Sequence, residues 1–121
     1  MKKANDWQEL SAGLRNARGR KKFAKAMEAI LLSQGGGVHR VVVEPGLEPD
    51  EILVTGALML ARPGRRKPPL QLAGRCLFDI GGPFPLHPVF VAGVLTGHLR
   101  AIAAQKQRWV STHWARALDF R

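Results

Sequence analysis

The sequence is poor in the residues that disulfide-rich and metal-binding proteins require. It contains one cysteine, four histidines and no tyrosine. A single cysteine cannot form a disulfide within the chain, which excludes a disulfide-stapled secreted domain. The histidines show no metal-ligand spacing, so no zinc site of known pattern is predicted. Cys76 lies in an apolar run, and we expect it to be a buried core residue.

Long apolar runs are also missing. No stretch approaches the roughly 18 consecutive apolar residues that suggest a membrane helix. The two lysines near the N-terminus are not followed by an apolar segment, so no secretory signal is predicted. These absences predict a cytoplasmic protein without a membrane partner. The high content of Ala, Gly, Leu and Arg fits a bacterial or phage genome rich in G and C.

No motif for catalysis or cofactor binding stands out. Residues 35–37 are three glycines, but they follow a predicted helix and lack the Lys-Ser/Thr pair of a P-loop. Asp79 and His87 flank a loop rich in Gly and Pro, and Glu44 and Asp50 are the other candidate carboxylates. Nothing joins these residues into a catalytic triad or a carboxylate pair. We therefore predict a protein that is not an enzyme and uses no cofactor or metal.

Positive charge, by contrast, is abundant. The 121 residues contain 19 Lys and Arg against 9 Asp and Glu, a formal net charge of +10. A field of this strength attracts polyanions such as DNA, RNA, an anionic membrane or an acidic protein. Solubility alone would not favour so large an imbalance. A polyanionic partner is therefore expected, and nucleic acid is the favoured one.

Hydrophobic periodicity predicts two N-terminal helices, at about 6–17 and 20–33. The apolar stripe that ends at Leu14 and the stripe that begins at Phe23 are nine residues apart in the sequence. At about 100° per residue, the two stripes would point to opposite sides of one continuous helix. A break near Gly19 removes this conflict, because glycine commonly ends helices.

Three strands are predicted after the glycine run, at 38–43, 52–61 and 70–80, where apolar and β-branched residues are frequent. Gly56 is a candidate bulge in the second strand. The second and third strands are expected to form a hairpin whose tip is the basic, proline-rich loop 62–69.

A C-terminal helix is predicted from Val89. Ser111 and Thr112 could re-cap one further short helix that would hold Trp114 and Leu118. The fold class is thus α+β, with a small antiparallel three-stranded sheet packed by N-terminal and C-terminal helices in the order α-α-β-β-β-α. With 45% hydrophobic residues, the chain can bury the core of one domain, and we predict a single basic domain over residues 1–121.

The cations fall into three clusters, at the N-terminal helices, at the hairpin tip and in the C-terminal stretch. Basic residues spaced three and four apart can follow a phosphate backbone, and tryptophan among arginines can stack on bases. The opposing interpretation is a solvated helix face, an ordinary exposed loop and tryptophans that close the core. The predicted nucleic-acid-binding residues are Arg15, Arg18, Arg20, Lys21, Lys22, Lys25, Arg62, Arg65, Arg66, Lys67, Arg108, Trp109 and Arg116.

The sequence therefore favours a non-enzymatic protein that binds DNA or RNA mainly through phosphate contacts. The alternative is a small inhibitor or adaptor, of the phage or mobile-element anti-defence type, that docks on an acidic surface of a partner complex. A homodimer is a further option, because Gly93 and Gly97 are spaced for close helix contact. The acidic loop 44–51 could pair with a basic element of the fold or orient the protein on nucleic acid.

Overall fold

The computed structural model describes the backbone of residues 6–60, 70–105 and 112–116, and the side chains of residues 7–59 and 71–105. It confirms the α+β class and the order α-α-β-β-β-α. The elements are α1 (Asp6–Ala12), a 3-10 turn (Gly13–Arg15), α2 (Ala17–Gln34), β1 (Val38–Pro45), β2 (Glu51–Leu60), β3 (Leu70–Asp79), α3 (Pro88–Gln105) and β4 (Thr112–Arg116).

The first three strands form the predicted antiparallel sheet. β1 pairs with β2, and β2 pairs with β3 without interruption from Glu51 opposite Asp79 to Leu60 opposite Leu70. This register confirms the hairpin of β2 and β3. Residues 61–69, which join the two strands, lie outside the described residues.

The interpretation of a final helix near Trp114 was wrong, because this segment forms a strand. β4 pairs in parallel with β3, from Ala73 opposite Thr112 to Leu77 opposite Arg116. A helix of five residues would be marginal in water. The free edge of β3 instead offers hydrogen-bond partners to the backbone of β4, which extends the sheet to the order β1-β2-β3-β4.

The break between the N-terminal helices lies at Asn16 and not at Gly19. Asn16 is extended, with φ −127° and ψ 162°, and its side-chain oxygen accepts the Gly19 N–H at 2.8 Å as the N-cap of α2. Gly19 lies in the first turn of α2, where a Cβ atom would overlap the Gly13 carbonyl. The glycine is therefore needed for close backbone contact with the 3-10 turn, and an asparagine cap starts the helix.

The glycine run ends α2 as predicted. Gly35 takes the left-handed conformation, with φ 68°, and its N–H donates to the carbonyls of Leu31 and Leu32. Glycine adopts this conformation without the steric cost that other residues incur. Gly37 also has a positive φ, of 87°, and its carbonyl accepts the Met59 N–H. The run thus turns the chain from α2 into β1.

The predicted bulge at Gly56 was wrong, and the irregularity lies on β1. Gly56 pairs regularly with Gly74, whereas the register of β1 shifts between His39 and Val42. Arg40, inside this shift, has φ 59°. The Glu28 carboxylate accepts the Val41 N–H at 2.8 Å. A side chain of α2 therefore satisfies a backbone donor on an edge strand, where a free donor would invite unwanted strand pairing.

The core lies between the sheet and the two long helices. α2 contacts β1, and α3 contacts β2, β3 and α2. Phe23 and Met27 of α2 and Leu95 and Leu99 of α3 are fully buried in one apolar cluster with the strands. Among the described helices, none is long and apolar enough to cross a bilayer.

The single cysteine is confirmed as a core residue, and its reactivity is predictable. Burial raises the pKa of the Cys76 thiol from 9.0 to about 11. Because the thiolate is the reactive form, two pKa units lower its population at pH 8 by about 100-fold. We expect iodoacetamide to alkylate the folded protein at least about 100-fold more slowly than the urea-unfolded protein. Equal rates would show that Cys76 is accessible in the folded state.

Candidate nucleic-acid interface

Four cations share the solvent side of α2. Arg18, Lys21, Lys22 and Lys25 are all exposed and lie within one face at about 100° per residue. In the part of the chain that the structure describes, none of the four forms an ion pair. The seven steps from Arg18 to Lys25, at about 1.5 Å each, give this cationic face of α2 a length of about 10 Å. The spacing of three and four residues is therefore present in Arg18, Lys22 and Lys25, whereas Arg15 lies in the 3-10 turn before α2.

Two neighbouring arginines have structural contacts instead. Arg15 pairs with Asp50 at 2.9 Å and also donates to the Ile80 carbonyl at 3.4 Å. Arg20 donates to the Leu14 carbonyl at 3.2 Å. The acidic loop thus pairs with a basic element, one of the two roles considered for it. Arg15 and Asp50 are both more than half exposed, so the pair adds little to stability.

The other predicted contacts fall outside the described side chains. The hairpin residues Arg62, Arg65, Arg66 and Lys67 and the C-terminal Arg108 and Trp109 lie outside the described residues. Arg116 is the last residue of β4, whose backbone alone is described. The pairing of Leu60 with Leu70 nevertheless brings both ends of the hairpin connection to one end of the sheet.

The excess positive charge is unevenly distributed along the chain. Residues 6–60 and 70–105 hold nine cations (Arg15, Arg18, Arg20, Lys21, Lys22, Lys25, Arg40, Arg75 and Arg100) and eight anions (Asp6, Glu9, Glu28, Glu44, Glu48, Asp50, Glu51 and Asp79). This part of the chain is almost neutral. Nearly all of the formal charge of +10 therefore belongs to segments 1–5, 61–69 and 106–121.

The sheet has one acidic end. The turn end, defined here as residues 44–51 and 79–87, is held together by a 2.7 Å hydrogen bond from the Ile80 N–H to the Asp50 carbonyl. It contains five of the eight acidic residues named above: Glu44, Glu48, Asp50, Glu51 and Asp79. Phosphate groups would be repelled from this end of the molecule.

The opposite end of the sheet lacks acidic residues in its described part. This hairpin end comprises residues 35–40, 56–60, 70–74 and 99–105, with no Asp or Glu among them. Arg100 donates to the Gly36 carbonyl at 3.0 Å, which ties α3 to the glycine run. The cation-rich segments 61–69 and 106–111 both begin at this end. About ten strand residues, or roughly 30 Å, separate the two ends.

Sequence reasoning did not single out Arg40 as a contact residue. The structure leaves it exposed on the edge strand, at the positive φ of the β1 bulge. Its position within a run of β-branched residues predicted only a strand. Because the bulge depends on a contact between Glu28 and Val41, no local pattern could have predicted it.

Asp79 and His87, which were considered for catalysis, form hydrogen bonds with the backbone of their own turns. Asp79 accepts the Gly81 N–H at 2.7 Å, and His87 Nδ1 accepts the Val89 N–H at 3.0 Å. The His87 ring also packs against Trp7 in a tilted arrangement, with ring centroids 4.8 Å apart. Among the described residues, no group of three or more His, Cys, Asp or Glu side chains could hold a metal ion.

Comparison with known proteins gives no relative: no family model, no curated protein and no solved structure matches this chain.

Proposed function

We propose that this protein is a non-enzymatic nucleic-acid-binding protein that acts mainly through phosphate contacts. The observation that carries the proposal is the cationic face of α2, whose four exposed cations form no ion pair among the described residues. The proposed contacts are Arg18, Lys21, Lys22 and Lys25, together with Arg62, Arg65, Arg66, Lys67, Arg108, Trp109 and Arg116. Arg15 and Arg20 contribute to the field around them.

The geometry of α2 supports phosphate contacts. A nucleic-acid strand in a B-form duplex advances about 3.4 Å per phosphate along the axis. Because the strand also winds around this axis, neighbouring phosphates are farther apart than this rise, and the cationic face of α2, about 10 Å long, spans about two of them. A straight helix holds its cations in fixed register, and its buried side, through Phe23 and Met27, anchors it to the core.

The direct test is fluorescence anisotropy with labelled duplex DNA, single-stranded DNA and RNA at several salt concentrations. The logarithm of the binding constant is expected to fall linearly with the logarithm of salt concentration. The triple variant Lys21→Gln, Lys22→Gln, Lys25→Gln should bind about 100-fold more weakly, with a slope smaller by about three. Arg65→Glu with Arg66→Glu tests the hairpin tip in the same assay.

A matched control distinguishes the effect of where the charges lie from the effect of the total charge. The variant Pro49→Glu, Gly82→Glu, Pro83→Glu has the same formal charge as the triple glutamine variant, but its new charges lie at the turn end, where all three positions are exposed. It should keep most of the affinity. An equal loss in both variants would show that net charge alone drives binding. If none of the three ligands binds except at very low salt, the proposal fails. The alternative, an inhibitor or adaptor on an acidic protein surface, would then take its place.

A further inference from the structure

The turn end also presents the most exposed large apolar side chains on its loops. Phe84 is 83% exposed and Leu47 is 68% exposed. Leu32, at 82%, is comparably exposed but lies on α2. Isolated exposed apolar residues are common, but two on adjoining loops at one end of a small domain mark a surface suited to contact with another protein.

Contacts at both ends hold the loop of Phe84 in place. On one side, the Ile80 N–H donates to the Asp50 carbonyl at 2.7 Å. On the other side, the Leu86 N–H donates to the Ser11 hydroxyl at 2.8 Å. Pro83 and Pro85 flank Phe84, and each fixes its own φ. An aromatic side chain on a loop that is already ordered loses little entropy on binding, which is typical of residues that dominate interface energy.

The charges around Phe84 indicate which partner fits. Glu44, Glu48 and Asp79 are exposed at the turn end, whereas Asp50 is paired with Arg15 and Glu51 is buried. The rim of this surface is therefore net negative, in a protein whose total charge is +10. Complementary charge at the rim steers and selects partners.

We propose that the turn end is a docking surface for a second protein, which offers an apolar pocket for Phe84 within a rim of lysine and arginine. Leu47, on the adjoining loop, adds apolar contact, and Glu48 and Asp79 face the basic rim. This inference is independent of the proposed nucleic-acid function, since the acidic rim repels phosphate. The cationic face of α2 begins beside this end, where Arg15 pairs with Asp50, but it belongs to the helix and not to the loops that carry Leu47 and Phe84.

The test uses a defined probe, a short amphipathic peptide of leucine and lysine, titrated into the ¹⁵N-labelled full chain and followed by amide chemical shifts. Saturable shifts are expected at residues 46–51 and 80–87. Phe84→Ala should weaken binding at least about tenfold, and Asp79→Lys should also weaken it. Leu32→Ala, which removes a comparably exposed apolar side chain from α2, is the matched control and should bind like the unmodified protein.

Several results would overturn the proposal. These are an affinity of Phe84→Ala equal to that of the unmodified protein, shifts centred on Leu32, equal binding of a leucine–glutamate peptide at the same residues, or no saturable shifts at all. Shifts of the same amides with protein concentration alone would show that a second copy of this chain is the occupant. Phe84→Ala should leave DNA binding unchanged, which keeps this test separate from that of the proposed function.

Discussion

Gly19→Ala is expected to lower the free energy of unfolding by about 3 kcal/mol, the upper part of the range for overpacking. In a helix, alanine normally stabilises relative to glycine by about 1 kcal/mol. Here the added Cβ would overlap the Gly13 carbonyl and lie 2.7 Å from the Gly13 Cα. These are backbone atoms, so relief requires α2 to move away from the 3-10 turn. Urea denaturation followed by circular dichroism measures the change.

Gly93→Ala is the matched control for this prediction. Gly93 also lies within a helix, α3, but a Cβ there would meet nothing within 4 Å. The substitution should raise the free energy of unfolding by about 0.5–1 kcal/mol. The two variants make the same chemical change with opposite expected signs. A neutral or stabilising Gly19→Ala would show that the 3-10 turn does not pack against α2 as described.

Local pattern was sufficient to predict most of the scaffold. The runs of β-branched and apolar residues identified all three antiparallel strands, and β1 begins at Val38 as expected. The opposed stripes around Leu14 and Phe23 required a break, and both residues are buried. These features depend on the spacing of apolar residues along helices and strands, which can be read from a single sequence.

Features that depend on distant parts of the chain could not be predicted. β4 exists because β3 offers a free edge, and its own sequence was equally compatible with a helix. Asn16 and Gly19 are both residue types that commonly lie at helix ends, so the local sequence did not show which of them marks the break. Asn16 caps the helix and Gly19 packs against Gly13, and only the packing shows which residue has which role.

The sequence indicated part of the cationic face of α2. The spacing of Arg18, Lys22 and Lys25 was readable, because these residues lie on one face of α2. The engagement of Arg15 by Asp50 joins residues 35 positions apart in the sequence, and no spacing rule predicts it. The acidic loop 44–51 was recognised, but residues 80–87 were predicted only as a loop rich in Gly and Pro, and the order of this loop around Phe84 depends on a contact with α1.

The distribution of charge explains why the two proposed surfaces would bind different partners. A domain with +10 distributed evenly would attract any polyanion in any orientation. Here residues 6–60 and 70–105 are almost neutral, and acidic residues collect at one end of the sheet. A nucleic acid on the exposed side of α2 would therefore be repelled by the acidic loops of the turn end, which leaves those loops free for a protein.

The second large effect is expected where α3 packs on the sheet. Gly56 and Gly74 are opposite each other on β2 and β3, and a Cβ at Gly56 would lie 2.7 Å from Leu95 Cδ2. Leu95 is fully buried, so it has little room to move. Gly56→Ala should cost about 1–3 kcal/mol by overpacking, and Leu95→Ala about 2–5 kcal/mol through the cavity that it leaves.

The double variant Gly56→Ala, Leu95→Ala should lose less free energy of unfolding than the two single losses added together, by at least about 1 kcal/mol. The reason is that the new methyl group enters the space that Leu95 vacates. The control combines Gly56→Ala with Leu99→Ala. Leu99 is equally buried, but it contacts the Gly74 position instead, so its cycle should be nearly additive. Urea unfolding of all variants measures both coupling energies. Additivity in the Leu95 cycle would contradict the close contact between α3 and Gly56, because no other described contact would couple the two substitutions in this direction.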